Sequence, residues 1–233
     1  MTFSRAGFTG SQAHGAFWAG DEDSTWEAFR WSMTAGLNAA ACGLVYWGWD
    51  IAGFSGSVPE AELYVRAMAA SAFVPIMRYH SEHHHRHRRP YRDRTPGNGA
   101  EQTGDPAVIA ETRQIVAVRE RLVPYQARQA RRAIATGRPL MRPLYFDHPA
   151  DAQVWQHLLQ WTLGDSILVA PVVEPGLRSW PVYLPAGQWV DAWTGQITAG
   201  AVVVQNAAPR HQAPAYVRAD DWPGLRDVFT ATG

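Results

Sequence analysis

The chain has 233 residues, 46% of them hydrophobic, and its 21 Lys+Arg balance 21 Asp+Glu for a formal net charge of zero. A balanced charge supplies no field for a polyanion or an anionic membrane, so neither nucleic acid nor membrane is an expected partner, and the hydrophobic fraction suits one large globular domain or two modest ones. The single Cys42 excludes an intrachain disulfide framework and fits a reducing, hence cytoplasmic, compartment.

No apolar run reaches the roughly 18 residues of a membrane span; the best, LNAAACGLVYWGW, is interrupted by glycine and ends at Asp50. The opening MTFSRAGFTG lacks the charged and then apolar regions of a signal peptide. In the STWE stretch, Ser24 and Glu27 have capping-box spacing, and Phe29, Met33 and Leu37 continue as a helical stripe, which predicts a helix over about 25 to 41. CGLVYWGWD follows, an apolar run without polar alternation, as expected of a strand buried on both faces, and it ends in a carboxylate. After the Gly-rich DIAGFSGSVP, Pro59 opens a second helix through EAELYVRAMAASAF, and a brief strand, VPIMRYH, delivers His80. This strand, helix, strand order predicts βαβ units and a parallel sheet.

SEHHHRHRRPYRDRTPGNGAEQTG is polar and broken by Pro and Gly, which predicts a long exposed loop. From Pro106 a long helix runs to Gly137, with a kink expected at Pro124. Beyond it PLMRPLYF, SILVAPVV, WPVYLP, WVDAW, VVVQ and PAYVRA read as short strands between turns, the pattern of an antiparallel β domain. The expected organisation is therefore α/β over residues 1–137 and all-β over 138–233.

Spacing singles out the candidate site. Asp21 to Asp50 is 29 residues and Asp50 to His80 is 30, each close to the about 30 residues of one βα unit in a (β/α)₈ barrel; Arg5 to Asp21 is a shorter step of 16. Polar residues that each close such a strand converge on one rim, where barrel enzymes carry their catalysts. Trp18, Trp26, Trp47, Trp49 and Phe54 crowd the two aspartates in sequence, and flat apolar faces beside carboxylates suit a sugar ring while raising a carboxyl pKa toward that of a general acid. The alternatives stay open: Asp21 as a helix cap, Asp50 as a structural carboxylate bonding loop amides, Arg5 as an ordinary ion-pair partner. His83, His84, His85 and His87 lack the fixed geometry and the acidic or thiolate partners of a metal site, so no metal is expected.

The blocks SRAGFTGSQ, FWAGDEDSTWE, GLVYWGWDIAGF, ELYVRAMAASAFVPIMRYHS, RERLVPY and LGDSILVAPVVEPGLRSWPVYLPAGQWVDAWTG resemble, in order and spacing, the back half of glycoside hydrolase family 31, which contains α-glucosidases and α-xylosidases. The resemblance covers nearly the whole chain. It implies the end of strand 5 through strand 8 of a (β/α)₈ barrel followed by an antiparallel β-sandwich, and a retaining α-glycosidase that needs no cofactor. By the same resemblance Asp21 is the general acid/base, Trp18 lines its pocket, and Arg5 contacts the catalytic carboxylates and sugar hydroxyls. Asp50 and Phe54 hold the sugar ring and His80 bonds its hydroxyls. Two positions depart from the family pattern: Glu22 stands where Asn or Gln is commoner, and TPGNG lacks an aromatic near the sugar-binding loop, which leaves subsite specificity open.

Retention takes two carboxyl groups about 5 to 5.5 Å apart. The family's nucleophile lies upstream, at the end of strand 4, in a block ending Asn-Glu that this sequence does not contain. The expectation is a C-terminal portion of a larger enzyme, or one product of a split gene, whose partner is the N-terminal half of the barrel and which is inactive by itself. Two other readings remain: a non-catalytic carbohydrate-binding or scaffold remnant, and other chemistry of the family, such as α-xyloside or sulfosugar hydrolysis or lyase cleavage.

Overall fold

The computed structural model describes residues 2–81 and 94–230. Three parallel strands open the chain: β1, Thr2–Ser4, and β2, Gly15–Trp18, are joined across the first helix by β3, Trp47–Gly48. Ile76 extends the sheet by a parallel bridge to Gly48, its N–H donating to Trp47 O at 3.0 Å. Glycine is required at position 48, because a Cβ there would stand 2.8 Å from Ile76 O.

The intervening helix α1, Trp26–Ala41, buries Phe29, Met33 and Leu37, the stripe read from the sequence. Its cap is Thr25, whose hydroxyl accepts the N–H of Ala28 at 3.1 Å, and not Ser24. Ser24 instead donates to Ser55 O, a bond between loops that helical spacing does not encode. Helix α2, Ala61–Ser71, follows β3 and is buried almost throughout.

The expected long loop contains a helix, α3, Pro96–Thr103. Pro96 sits where a first turn lacks an N–H acceptor in any case. Gly99 then lets the helix approach Tyr64, whose ring would stand 3.1 Å from an added Cβ. Tyr64 also donates its hydroxyl to Arg94 O at 2.6 Å. Polar composition hid a helix held by tertiary contact. Helix α4, Ala107–Thr136, continues through Pro124 and is closed by Gly137 at φ 72°.

The remaining chain forms two antiparallel sheets. Strand β4, Met141–Pro143, leads into the short helix α5, Leu144–Asp147, so PLMRPLYF is a strand only in its first half. Strands β5, Trp161–Leu163, β6, Ile167–Val169, β7, Ser179–Leu184, β8, Gln188–Asp191, β9, Ile197–Ala199, β10, Val202–Ala207, and β11, Ala215–Arg218, follow. Six of them pair in the order β4-β5-β6-β11-β8-β9, and β10 pairs with β7. Val182 and Leu184 of the smaller sheet share a buried cluster with Leu168, Trp189 and Tyr216 of the larger. The final helix α6, Trp222–Thr230, was not foreseen; Leu225, Val228 and Phe229 are its buried residues.

The parallel and antiparallel parts share one hydrophobic core, in which Phe73, Trp161 and Phe229 meet. Trp161 donates its indole N–H to Phe73 O at 3.2 Å, and Arg119 of α4 donates to Ala72 O, Val74 O and Pro75 O at 3.0, 2.7 and 2.9 Å. These bonds fix the carbonyls just before the extended segment that carries Arg78 and His80. Among the described residues no helix is long and apolar enough to cross a membrane.

Candidate active site

The loops that leave β2 and β3 are knitted together. Phe54 and Ser55 donate their N–H groups to Glu22 O at 2.8 and 3.0 Å, and Ser55 Oγ donates to Asp21 O at 3.3 Å. Glycine is needed at position 53, where φ is +97° and a Cβ would stand 2.7 Å from Ser24 Cα. Within this frame Asp21 adopts φ 66°, a left-handed conformation that Asp tolerates better than most residues.

The six residues to which the resemblance gives roles, Arg5, Trp18, Asp21, Asp50, Phe54 and His80, meet at one end of the parallel sheet. Arg5 Nη1 lies 2.8 Å from Asp21 Oδ2, with both side chains about half exposed. The backbone N–H of Asp21 donates to Asp50 Oδ2 over 3.5 Å. Asp50 has 0% exposure, and its other oxygen is bonded by Arg78. The rings of Phe54 and His80 are 5.0 Å apart, and the imidazole acts electrostatically on Asp50. Trp18 stacks on Phe3 with centroids 4.8 Å apart.

Arg78 was missed in the sequence. Its guanidinium carbon sits 4.5 Å from the Phe3 ring centroid and 4.7 Å from that of Trp18, within cation–π range of both, while the head group reaches Asp50. The available signal was its position two residues before His80, which puts both side chains on one face of an extended segment.

Burial raises the carboxyl pKa of Asp50, opposed by the charge of Arg78 and the bond from the Asp21 N–H. Glu22 is shifted the same way, first by burial and further by the charges of Asp50 and Asp21, against its own backbone bond and the Ser32 hydroxyl. Ser32 Oγ donates to Glu22 Oε1 at 3.2 Å, whereas Glu22 Oε2 is buried without a partner among the described residues.

Trp47 and Trp49 do not flank the carboxylates as walls. They are core residues, 3% and 1% exposed; Trp49 stacks on Phe29 and donates to Ser71 Oγ at 2.9 Å. Of the aromatics chosen by composition, Trp18 and Phe54 stand at the site. Asp21 does not cap α1, since Thr25 does. Among the described residues no group of His, Cys, Asp or Glu is arranged to hold a metal ion; His83, His84, His85 and His87 lie outside the described residues.

Comparison with known proteins gives this site its context. Residues 1–129 match the glycosyl hydrolases family 31 TIM-barrel domain and residues 137–221 the glycosyl hydrolase family 31 C-terminal domain. A 1,3-alpha-isomaltosidase of Kribbella flavida is 60% identical over 230 residues, covering 99% of this chain and 32% of that protein. An isomaltosyltransferase of Sporosarcina globispora is 37% identical, covering 94% of this chain and 20% of that protein. The structure of a cycloalternan-degrading enzyme from Trueperella pyogenes in complex with a covalent intermediate is 57% identical with a TM-score of 0.90, covering 93% of this chain and 30% of that one. The chain thus spans between a fifth and a third of the length of these relatives.

Proposed function

The chain belongs to glycoside hydrolase family 31, and from that premise we propose that it forms the acid/base side of a retaining α-glycosidase acting on α-linked gluco-oligosaccharides. In this reading β1, β2, β3 and the Ile76 segment are strands 5 to 8 of the (β/α)₈ barrel, residues 138–233 are an antiparallel β-sandwich, and the division falls at 137/138. The observation that carries the reading is Asp21: an accessible carboxylate, ion-paired to Arg5, with its backbone tied to the strand-end Asp50. Asp21 protonates the glycosidic oxygen as the leaving group departs and then takes a proton from the attacking water. Trp18 and Phe54 border the sugar, and Arg5 and His80 bond its hydroxyls.

The nucleophile is supplied by a part of the barrel outside this chain. Two observations support that assignment. The outer edge of β1 pairs with no described strand, and the segment between β1 and β2 stands off α1 across a cavity of about 480 Å³ lined by Phe8, Phe17, Ala35 and Leu44. An open barrel edge of this kind calls for a further strand. The covalent intermediate captured in the Trueperella pyogenes enzyme supports double displacement. The 1,3-alpha-isomaltosidase relative favours release of an isomaltosyl unit over a single glucose.

The test is Asp21→Asn in the protein completed with its upstream barrel strands. Turnover of substrates with poor leaving groups should fall by about 10²–10⁴-fold, the usual weight of a general acid, while activated aryl glycosides keep much of their glycosylation rate. Equal loss on both classes would remove Asp21 from the acid role. If the chain instead bound isomaltose in calorimetry, and the completed protein showed no turnover, a carbohydrate-binding role would replace the enzymatic one.

A further inference from the structure

The family resemblance assigns Asp50 to the sugar, but its carboxylate has no surface to offer. It is 0% exposed even in this chain, where the parallel sheet has an open edge. Both of its oxygens are already engaged: Oδ1 by the guanidinium of Arg78, Oδ2 by the N–H of Asp21. That N–H belongs to a residue held at φ 66°, and the same residue offers its carboxylate to Arg5. Arg78 is in turn fixed against the rings of Phe3 and Trp18. A continuous chain of contacts therefore runs from the Phe3–Trp18 stack through Arg78 and Asp50 to the backbone of Asp21.

We propose that Arg78 and Asp50 are positioning residues for Asp21: the arginine, locked on the two rings, orients the buried carboxylate, and that carboxylate holds the left-handed backbone that aims the acid/base at the glycosidic oxygen. Two features set this pair apart from an ordinary buried ion pair. It ends on a main-chain N–H of the reacting residue, and its cationic member touches Trp18, which borders the same pocket. A rotation of the Asp21 backbone toward the right-handed region would swing its carboxylate away from Arg5. Misplacing a reacting group by about 1 Å costs on the order of 10²-fold in rate, so a small loss of hold has a large kinetic reading.

The proposal rests on the acid/base role of Asp21 given above, and the test separates the two. In the completed protein, Arg78→Met, Arg78→Lys, Asp50→Asn and Asp21→Asn are compared on a glycoside with a poor leaving group and on an activated aryl glycoside. Arg78→Met and Asp50→Asn are expected to lower kcat on the poor leaving group by about 10–100-fold with KM within about twofold, and to lower it far less on the aryl glycoside. Combining Arg78→Met with Asp21→Asn should add little to Asp21→Asn alone, as for groups that act as one unit. Lys at position 78 keeps the charge but not the planar fork that spans rings and carboxylate, so partial recovery is expected. Should Arg78→Met fail to fold, Arg78→Lys is read by the same leaving-group ratio.

A rise in KM at unchanged kcat, or a loss equal on both substrates, would overturn the positioning role while leaving Asp21 as the acid. Absence of any leaving-group dependence in Asp21→Asn would instead overturn the acid assignment itself.

Discussion

Arg5 and Asp21 form an ion pair at 2.8 Å across the mouth of the parallel sheet, with 54% and 44% of their side chains exposed. An exposed pair of this kind contributes about 0–1 kcal/mol to folding, since water screens it and two side chains must be ordered. Its place is better explained by the site than by stability. Arg5→Ala is expected to leave the melting temperature nearly unchanged and to lower kcat/KM by at least about tenfold, which corresponds to about 1.4 kcal/mol of transition-state stabilisation. Arg5→Lys should fall between the two, because a lysine offers a point charge and no fork. Thermal melts and steady-state kinetics on the same preparations check this; a melt that drops in step with activity would make the pair structural.

Glu22 carries the pH dependence that is easiest to isolate. Its carboxyl pKa is raised in the folded chain, chiefly by burial, so the folded state holds that proton more tightly than the unfolded one. The sign follows directly: stability from this group is greatest below the ordinary value of 4.5 and is lost as pH rises from there through the raised value. Glu22→Gln, which mimics the protonated form, should therefore stabilise the chain at pH 7 and do little at pH 3.5. Each kcal/mol gained reads as roughly 2–4 °C at this chain length. The wild-type and variant melting temperatures at the two pH values decide it, and an equal difference at both would show that the titration of Glu22 does not matter.

The legible part of this molecule was the part written in spacing. The two intervals from Asp21 through Asp50 to His80, 29 and 30 residues, placed three side chains at one sheet end, because a βα unit fixes how far apart consecutive strand ends lie in sequence. The helical stripe of Phe29, Met33 and Leu37 likewise predicted the buried face of α1. What stayed hidden depended on contacts between distant segments. Trp47 and Trp49 neighbour Asp50 in sequence, yet strand alternation and helix packing turn them into the core. Arg78 acquires meaning only when β1 and β2 bring Phe3 and Trp18 to its guanidinium. Helix α3 rests on Tyr64, 35 residues before Gly99 and far outside the ~3.6-residue period that a local reading uses, and α6 is secured by Arg121, which donates to Val228 O at 2.9 Å.

Gly36 lies on the face of α1 that meets β3. A Cβ there would stand 2.5 to 2.6 Å from three ring atoms of Trp47. Alanine favours a helix over glycine by about 1 kcal/mol, so the substitution would stabilise an isolated helix. In the folded chain the overlap with a buried indole forces a shift, and overpacking of this kind costs about 1–3 kcal/mol. Packing is expected to win, giving a net loss of stability in denaturant unfolding. A gain would mean that α1 and Trp47 separate more easily than their contact implies.

Glu62 on α2 receives two arginines of opposite burial, which makes a controlled comparison. Arg66, four residues on, is 2% exposed and lies 2.9 Å away; Arg178 is 74% exposed and lies 3.3 Å away. Arg66 also donates to Leu177 O and Ala208 O, so it joins α2 to loops that flank β7 and β10. Burial lowers its pKa, and Glu62 opposes that shift. Removing Arg178 takes away a screened surface pair worth about 0–1 kcal/mol. Removing Arg66 strands two carbonyls and a half-buried carboxylate, and breaking a buried pair from one side costs about 3–5 kcal/mol. Arg66→Ala should therefore lower the unfolding free energy several-fold more than Arg178→Ala, and salt should weaken only the effect of the latter. Denaturant titrations of both variants at low and high salt measure it. Equal losses would show that the contact between α2 and the antiparallel sheets does not depend on the buried arginine.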